Sequence, residues 1–236
     1  MAKANVSARL SLLKESGIQL TSNPENREAW ATIAKLSRDS DPLVRAQTIY
    51  TVGSIYNEDA QKLKDSKNLE EKAWPFILNA FDDDEGVVRQ AAFQWAGAFK
   101  SRVEISLPHL IQGLNEDGSP GSYAADTISG LGSQAKTALP ALIHQLAGGP
   151  KFKGGSIGQV SVANALGKLG SNAIEAVPKM ETIARKFSDD PEFLYLIVKN
   201  LYEIDPTNTL ALQILGDYEK GKYGSFLASR ARDILK

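Results

Sequence analysis

Two stretches of the sequence decide its fold: Leu131-Gly-Ser-Gln-Ala-Lys-Thr-Ala-Leu-Pro140 and Leu169-Gly-Ser-Asn-Ala-Ile-Glu-Ala-Val-Pro178. They superpose without gaps at an offset of 38 positions, which makes them copies of an internal repeat. An apolar residue followed by proline also occurs at Trp74-Pro75 and Leu107-Pro108, so the four prolines step by 33, 32 and 38 residues. Steps of this length predict one helical hairpin per repeat.

Proline marks the predicted start of the first helix in each hairpin. It is tolerated in the first turn of a helix, where its missing amide hydrogen has no partner to lose. The sequence that follows each proline has helical apolar spacing, as in Pro140-Ala-Leu-Ile-His-Gln-Leu146. We therefore expect Pro75, Pro108, Pro140 and Pro178 each to open a helix.

The second helices are predicted at 42–55, 86–99, 120–131, 157–169 and 192–204, each after a polar or glycine-rich turn. Aligned on their ends, they give two lines of residues that we expect to be buried. The first line is Val44, Val88, Pro120, Gly158 and Phe193, and the second, uniformly apolar, is Val52, Ala96, Ile128, Leu166 and Leu201. Small residues around these lines, among them Ala92, Ala124, Ala165 and Gly97, let neighbouring helices approach closely.

One hairpin cannot bury both of its faces, but a stack of hairpins can. The sequence therefore predicts an all-α fold, a right-handed α-α superhelix of about six helical hairpins, in one domain spanning 1–236. Residues 1–24 are expected to form an N-terminal cap, 25–205 five repeats, and 206–236 a C-terminal capping hairpin. The charged segment 57–72 is predicted to be a solvated connector with a short helix.

Composition narrows the function classes. The 236 residues carry 27 Lys and Arg against 28 Asp and Glu, so a net charge of −1 gives no overall attraction for nucleic acid or an anionic membrane. Cysteine is absent, which removes thiolate metal sites, thiol nucleophiles and covalent attachment through sulfur on this chain. With no apolar segment of signal-peptide or membrane-spanning length, we expect a cytoplasmic protein.

Two motifs carry a family resemblance: Asp41-Pro-Leu-Val-Arg45 and Asp84-Glu-Gly-Val-Val-Arg89, each preceding an alanine-containing helix. They resemble HEAT repeats of the armadillo-like class, and most of all the bacterial subclass of phycobilisome-lyase-like HEAT proteins. The third to fifth repeats depart from the pattern, since they lack the Val-Arg pair. The resemblance implies an α-solenoid whose second helices line a concave groove, in a family whose members mostly bind other macromolecules.

The predicted binding surface consists of residues that point outward from the second helices, six positions after the first buried line and on the same helix face. Mixed polar groups with tyrosines are typical of a protein-binding surface, whereas a nucleic-acid groove needs a run of Lys and Arg. The same pattern also fits a merely solvated face. The candidate concave-face residues are Tyr50, Gln94, Tyr123, Asp126, Asn164, Lys168 and Lys199.

Other candidates lie off that line. Residues 148–155 form a glycine-rich loop in which Lys151 and Lys153 flank Phe152, and such loops often carry function. Arg45 and Arg89 could contact an acidic ligand, but their position beside Asp41 and Asp84 favours an ion pair within the repeat. The three tryptophans, Trp30, Trp74 and Trp95, fall on apolar helix faces and are predicted to be packing residues.

Enzyme chemistry finds little support in the residues. HEAT-based iron hydroxylases use His-Glu pairs, but His109 and His144 are followed by Leu110 and Gln145. The leading hypothesis is a non-enzymatic scaffold that grips a protein or peptide along the concave face, with no cofactor and no metal. The alternative is a bilin lyase-like protein acting with a partner subunit, and a DNA glycosylase is less well supported because the predicted groove has few cations. The sequence leaves the oligomeric state open.

Overall fold

The structure is a computed structural model, and it describes residues 6–60, 66–116, 118–146 and 157–236, without the side chains of 58–60, 66, 157 and 158. Within these ranges every regular element is a helix, which confirms the predicted all-α fold class. The predicted loop residues Lys151, Phe152 and Lys153 lie outside the described residues.

The helices follow one another along the chain as predicted for repeated hairpins. Their bounds are α1 (Val6–Ser22), α2 (Arg27–Leu36), α3 (Pro42–Ala60), α4 (Ser66–Ala80), α5 (Gly86–Ala96), α6 (Val103–Gly113), α7 (Ser119–Leu131), α8 (Leu139–Leu146), α9 (Ile157–Leu169), α10 (Val177–Lys186), α11 (Pro191–Ile204), α12 (Thr209–Glu219) and α13 (Ser225–Ile234). The second helices of the hairpins, predicted from the sequence, are α3, α5, α7, α9 and α11.

Contacts between helices divide the chain into two compact units, Met1–His109 and Leu110–Lys236, which we call unit 1 and unit 2. In unit 1, α3 packs against both α1 and α5, and it also contacts α2 and α4. In unit 2, α9 packs against both α7 and α11, while α12 packs against α11 and α13. Second helices thus stack on second helices, as in an α-solenoid. The single domain of 1–236 stays a prediction.

The spine of each unit consists of the apolar line predicted on the second helices. In the second, uniformly apolar line every residue is at most 1% exposed: Val52, Ala96, Ile128, Leu166 and Leu201. In the other line Val44, Val88 and Phe193 are buried as predicted, whereas Pro120 is half-buried and the Gly158 side-chain environment lies outside the described part of the chain.

The two repeated stretches adopt the same backbone. Each second helix ends at leucine, and a 3-10 segment follows, Gly132–Ala138 in one copy and Gly170–Ala176 in the other. Gly132 and Gly170 have φ angles of 55° and 57°, in the left-handed region that residues with a side chain rarely enter. Glycine at this position lets the chain reverse from the second helix into the next hairpin.

The prolines divide into two kinds, and the prediction that all four open helices is wrong for two of them. Pro140 and Pro178 occupy the second positions of α8 and α10, as expected. Pro75 and Pro108 lie inside α4 and α6, which begin nine and five residues earlier. All four prolines are exposed, so no packed neighbour is displaced where the ring interrupts the helix.

The predicted connector at 57–72 is largely helical instead. The helix α3 continues to Ala60 and α4 already begins at Ser66, while 61–65 lie outside the described residues. Leu69 and Ala73 are buried at helical spacing, while Lys67 and Glu71 are exposed. The Glu70 carboxylate is largely buried and accepts hydrogen bonds from Tyr56 and Arg102. The many charged residues led the sequence prediction to a connector, although the first turns of α4 have an amphipathic pattern.

An ion pair joins successive repeats in unit 1. The guanidinium of Arg45 donates to both carboxylate oxygens of Asp83, at 2.8 and 2.7 Å, and to the backbone carbonyl of Asp39 at 2.9 Å. The predicted pairing of Arg45 with Asp41 within its own repeat is wrong, because the Asp41 carboxylate caps the turn by accepting from the Leu43 amide. Arg89 donates to the backbone carbonyls of Asp83 and Asp84.

The Arg45–Asp83 pair changes the protonation of both groups. Burial raises the pKa of the Asp83 carboxyl, but the hydrogen bonds from Arg45 and the Glu85 amide outweigh burial and leave that pKa below its ordinary value. The same hydrogen bond raises the pKa of Arg45. The pair is therefore charged at neutral pH and fixes the spacing of two repeats.

Candidate functional site

A cleft of about 840 Å³ lies in unit 1 along the exposed sides of α1, α3 and α5. This volume is in the range typical of small-molecule sites. Its walls are Leu10, Leu13, Lys14, Gly17, Ile18, Thr21, Gln47, Tyr50, Thr51, Ser54, Ile55 and Trp95. Most of the exposed area of the wall is apolar, and the described side chains of its lining include one cation, Lys14, and no carboxylate.

Tyr50, predicted as a binding residue, lies in this cleft. Its ring is half-buried, and its hydroxyl accepts a hydrogen bond of 3.3 Å from the side-chain amide of Gln90 on α5. Gln94, the other predicted residue of unit 1, is exposed on α5 and is not among the lining residues. The structure thus brings one of the two residues into the cleft.

Lys14 and the other α1 residues of the cleft were missed by the sequence prediction, which treated that helix as a cap. A signal was present, because Lys14 precedes Gly17 by three residues just as Tyr50 precedes Gly53 and Gln94 precedes Gly97. The helix α1 therefore takes the place of a second helix in the stack. Its exposed lysine is the cation of the cleft.

Trp95 forms part of the wall and differs from the other two tryptophans. Trp74 is buried against Phe99, with ring centroids 5.4 Å apart, and Trp30 stacks on Phe76 and donates its Nε1 hydrogen to the Pro24 carbonyl at 2.8 Å. These two are packing residues, as predicted. The Nε1 atom of Trp95 is buried, and among the described residues it finds no acceptor.

Gly53 provides the surface on which the Trp95 indole rests. A Cβ atom built at residue 53 would lie only 2.2 Å from Cγ and 2.3 Å from Cδ2 of Trp95. Real carbon contacts are not this short, so α3 must have glycine here for the indole to occupy its position. The backbone of α3 thereby fixes one wall of the cleft.

The remaining predicted residues lie on three second helices of unit 2. Tyr123 is half-buried and Asp126 exposed on α7, Asn164 is half-buried and Lys168 exposed on α9, and Lys199 is half-buried on α11. Lys199 forms an ion pair of 2.9 Å with Glu203 one turn further on. No described cleft has these residues in its lining.

A polar contact joins α9 and α11 within this surface. The buried side chain of Asn200 donates to Oδ1 of Asn164 at 2.8 Å and to the backbone carbonyl of Leu196 at 2.8 Å. Asn164 therefore has a structural partner and is less available to a ligand than the sequence prediction assumed. Asn200 was missed because its partner lies one repeat away.

A second cleft, of about 580 Å³, lies elsewhere in unit 1 between α2 and α4. The stacked pair Trp30 and Phe76 forms its base, and its rim carries the ion pair of Glu25 with Lys72. Arg27 is the remaining charged residue of its lining. None of the predicted binding residues that the structure describes lies in this cleft.

Comparison with known proteins supports the helical fold. No family model matches the sequence, and no curated protein is similar to it. Among solved structures, a chain of the complex of CpcE and CpcF of phycocyanin lyase from Nostoc sp. PCC7120 is similar, with a TM-score of 0.59 and 21% sequence identity over 86% of this chain and 74% of that chain. The fold of this protein is thus a HEAT-like α-solenoid, and the resemblance to phycobilisome-lyase-like HEAT proteins is confirmed at the level of the fold.

Within the described ranges, no helix is both long and apolar enough to cross a membrane. No group of three or more His, Asp or Glu side chains is arranged there to hold a metal ion.

Proposed function

We propose that this chain is a bilin lyase-like subunit, which holds a linear tetrapyrrole and works together with a protein partner. The observation that carries the proposal is the fold similarity to a chain of a phycocyanin lyase, itself a complex of two proteins. This similarity supports the lyase-like alternative over the non-enzymatic scaffold that the sequence favoured.

The cleft of unit 1 fits such a pigment in size and chemistry. A bilin is an extended, largely apolar molecule that carries two propionate carboxylates. The cleft of about 840 Å³ has largely apolar walls and a lysine at residue 14, and among the described side chains of its lining an anionic apolar ligand meets no carboxylate.

The missing cysteine limits the chemistry that the chain itself can perform. Bilins are attached to phycobiliproteins through a cysteine sulfur, and this chain has no cysteine. A thioether intermediate on these 236 residues is therefore impossible, and the acceptor thiol has to come from the phycobiliprotein. The role left to this chain is to bind, orient and deliver the pigment.

The proposal is tested by pigment binding and transfer. The purified chain is passed over a gel-filtration column with phycocyanobilin, and then mixed with pigment and phycocyanin apoprotein while covalent attachment is followed by zinc-enhanced fluorescence in denaturing gels. We expect the pigment to co-elute with the chain and attachment to exceed the rate of the chain-free control. If the pigment does not co-elute with the chain and attachment is no faster than in the control, the proposal is contradicted.

A non-enzymatic protein-binding scaffold is the second candidate. The exposed side chains Asp126 and Lys168, with Tyr123 beside them, favour it, because mixed polar groups around a tyrosine are typical of protein interfaces. The two candidates share a protein partner and differ in the pigment. A chain that binds phycocyanin apoprotein tightly but retains no pigment would favour the scaffold.

A further inference from the structure

We infer that the unit 1 cleft is a narrow trough that selects a tetrapyrrole in a stretched, linear shape over one whose rings close on themselves. The inference rests on the proposed function for the identity of the ligand as a bilin. It adds the conformation in which the pigment is held and the class of tetrapyrrole that is rejected.

The length of the trough follows from its lining on α1. The lining residues of this helix extend from Leu10 to Thr21 along one face, and at a rise of about 1.5 Å per residue this wall is about 16 Å long. On α3 the lining extends from Gln47 to Ile55, which gives a second wall about 12 Å long. The trough therefore runs along about three turns of α1.

The width of the trough is set by the close approach of the helices. The helix α1 packs directly against α3, and a Cβ atom built at Gly17 would lie 3.0 Å from Cγ2 of Thr51, so the two helices are in contact between the walls. Helices in contact have axes about 8–10 Å apart. On the α5 side, the indole of Trp95 rests on Gly53 and lines the same trough. The trough is consequently longer than it is wide.

A long, narrow site distinguishes tetrapyrroles by their shape. A porphyrin is about as wide as it is long, and a free bilin coils into a similar outline, whereas a stretched bilin is only about one pyrrole ring wide. One wall offers the aliphatic side chains of Leu10, Leu13 and Ile18. The other wall offers the Gln47 amide and the Thr51 hydroxyl. A stretched pigment contacts both walls along its length, and a closed ring contacts only part of each.

The test compares two ligands that differ in ring closure. Biliverdin and protoporphyrin IX both carry two propionates, and each is titrated into the wild type while pigment absorbance and tryptophan fluorescence are followed. We expect the Kd of protoporphyrin IX to be about tenfold higher or more. The ratio of the red band to the near-ultraviolet band of biliverdin should rise on binding, because this ratio increases as a bilin stretches. Equal Kd values, or an unchanged ratio, would overturn the inference.

Two exposed aliphatic residues of α1 provide a matched pair of variants. The side chains of Ile18 and Leu12 are 60% and 45% exposed, so serine at either position should leave helicity unchanged. Ile18 lines the trough and Leu12 does not. We expect Ile18→Ser to raise the Kd of biliverdin about tenfold, and Leu12→Ser to bind as the wild type does. Equal effects of the two changes would contradict the placement of the pigment along this wall.

Failure of the inference is distinguishable from failure of the proposed function. If biliverdin and protoporphyrin IX bind equally well, the function stands and the selection of shape falls. If the wild type does not bind biliverdin, the proposed function falls. The shape of the site is then tested with retinoate, a long and narrow carboxylate, against pyrenebutyrate, a compact and flat one, by energy transfer from tryptophan. Tighter binding of retinoate that is weakened by Ile18→Ser but not by Leu12→Ser supports the trough, and equal binding of the two acids, or binding of neither, overturns it.

Discussion

Gly167 on α9 lies in the contact between the second helices α9 and α11 of unit 2. A Cβ atom built there would lie 2.3 Å from Oδ1 of Asn200 and 2.8 Å from Oε2 of Glu203. Asn200 cannot move away freely, because its amide is already bonded to Asn164 and to the Leu196 carbonyl. We predict that Gly167→Ala lowers the free energy of unfolding by about 1–3 kcal/mol, measured by urea denaturation.

Gly216 on α12 provides the matched control in the same unit. A Cβ atom at residue 216 would meet nothing within 4 Å, and the residue lies in the interior of its helix. Alanine there should stabilise the protein by about 0.5–1 kcal/mol, because glycine is the poorer helix former. If the two substitutions changed stability alike, close contact between α9 and α11 would not be the reason for glycine at residue 167.

The Asp83 carboxylate makes stability in unit 1 depend on pH. Its folded pKa lies below the ordinary value near 3.8, so its contribution is complete above that value and is lost as the pH falls through the folded pKa. We expect Asp83→Asn to lower the free energy of unfolding by about 1–2 kcal/mol at neutral pH, and to reduce the further loss of stability below about pH 4. Thermal denaturation at a series of pH values measures both effects. The exposed neighbour Asp84 is the control, since Asp84→Asn should leave the acid limb of the curve nearly unchanged.

At the scale of the element, proline has opposite effects according to its place in the helix. Pro75 lies inside α4 and cannot donate to the carbonyl four residues earlier, whereas Pro178 lies in the first turn of α10, where no such bond is formed. We predict that Pro75→Ala stabilises unit 1 by roughly 1–2 kcal/mol, and that Pro178→Ala changes stability by less than about 0.5 kcal/mol.

Amide hydrogen exchange separates this explanation from a general effect of alanine. The new N–H at residue 75 should be protected, because the Glu71 carbonyl can accept from it, while the new N–H at residue 178 should exchange quickly. Rapid exchange at both sites would mean that α4 is not continuous across residue 75.

The sequence predicted the second helices well for a physical reason. Each buries one face against neighbours on both sides, so apolar residues recur at fixed offsets, as the burial of Val52, Ile128 and Leu201 confirms. The first helices were predicted less well. Pro75 and Pro108 are exposed and tolerated within a helix. They lack the Leu-Gly-Ser stretch that precedes Pro140 and Pro178, and the prediction treated all four prolines alike because each follows an apolar residue.

At the scale of the whole molecule, contacts between repeats were beyond the sequence prediction. The partner of Arg45 is Asp83 rather than Asp41, and the partner of Asn164 is Asn200, each about one repeat away. Which of several polar residues meets another across a repeat depends on how the helices stack, and local spacing does not specify it. The unpaired donor of Trp95 was missed for the same reason, since an apolar helix face gave no sign of it.

Both units display polar residues on their second helices, and the proposed protein partner provides the test of these faces. Tyr50 represents unit 1, and Tyr123 and Lys199 represent unit 2. We predict that Tyr50→Ala alone and the pair Tyr123→Ala with Lys199→Ala each weaken binding of phycocyanin apoprotein about tenfold, and that the triple variant weakens it about a hundredfold, measured by biolayer interferometry.

Additivity is the decisive observation, because binding free energies of separate contacts add only when one partner engages both units at once. Lys136→Ala, an exposed change on the 3-10 segment Gly132–Ala138, is the control and should bind like the wild type. All variants should keep the far-ultraviolet helical signal, since none of the three residues belongs to the buried apolar lines.

If the triple variant binds as the wild type does, these faces are solvated surface. If only the change in unit 1 matters, the partner contacts the side of the molecule that carries the Trp95 cleft.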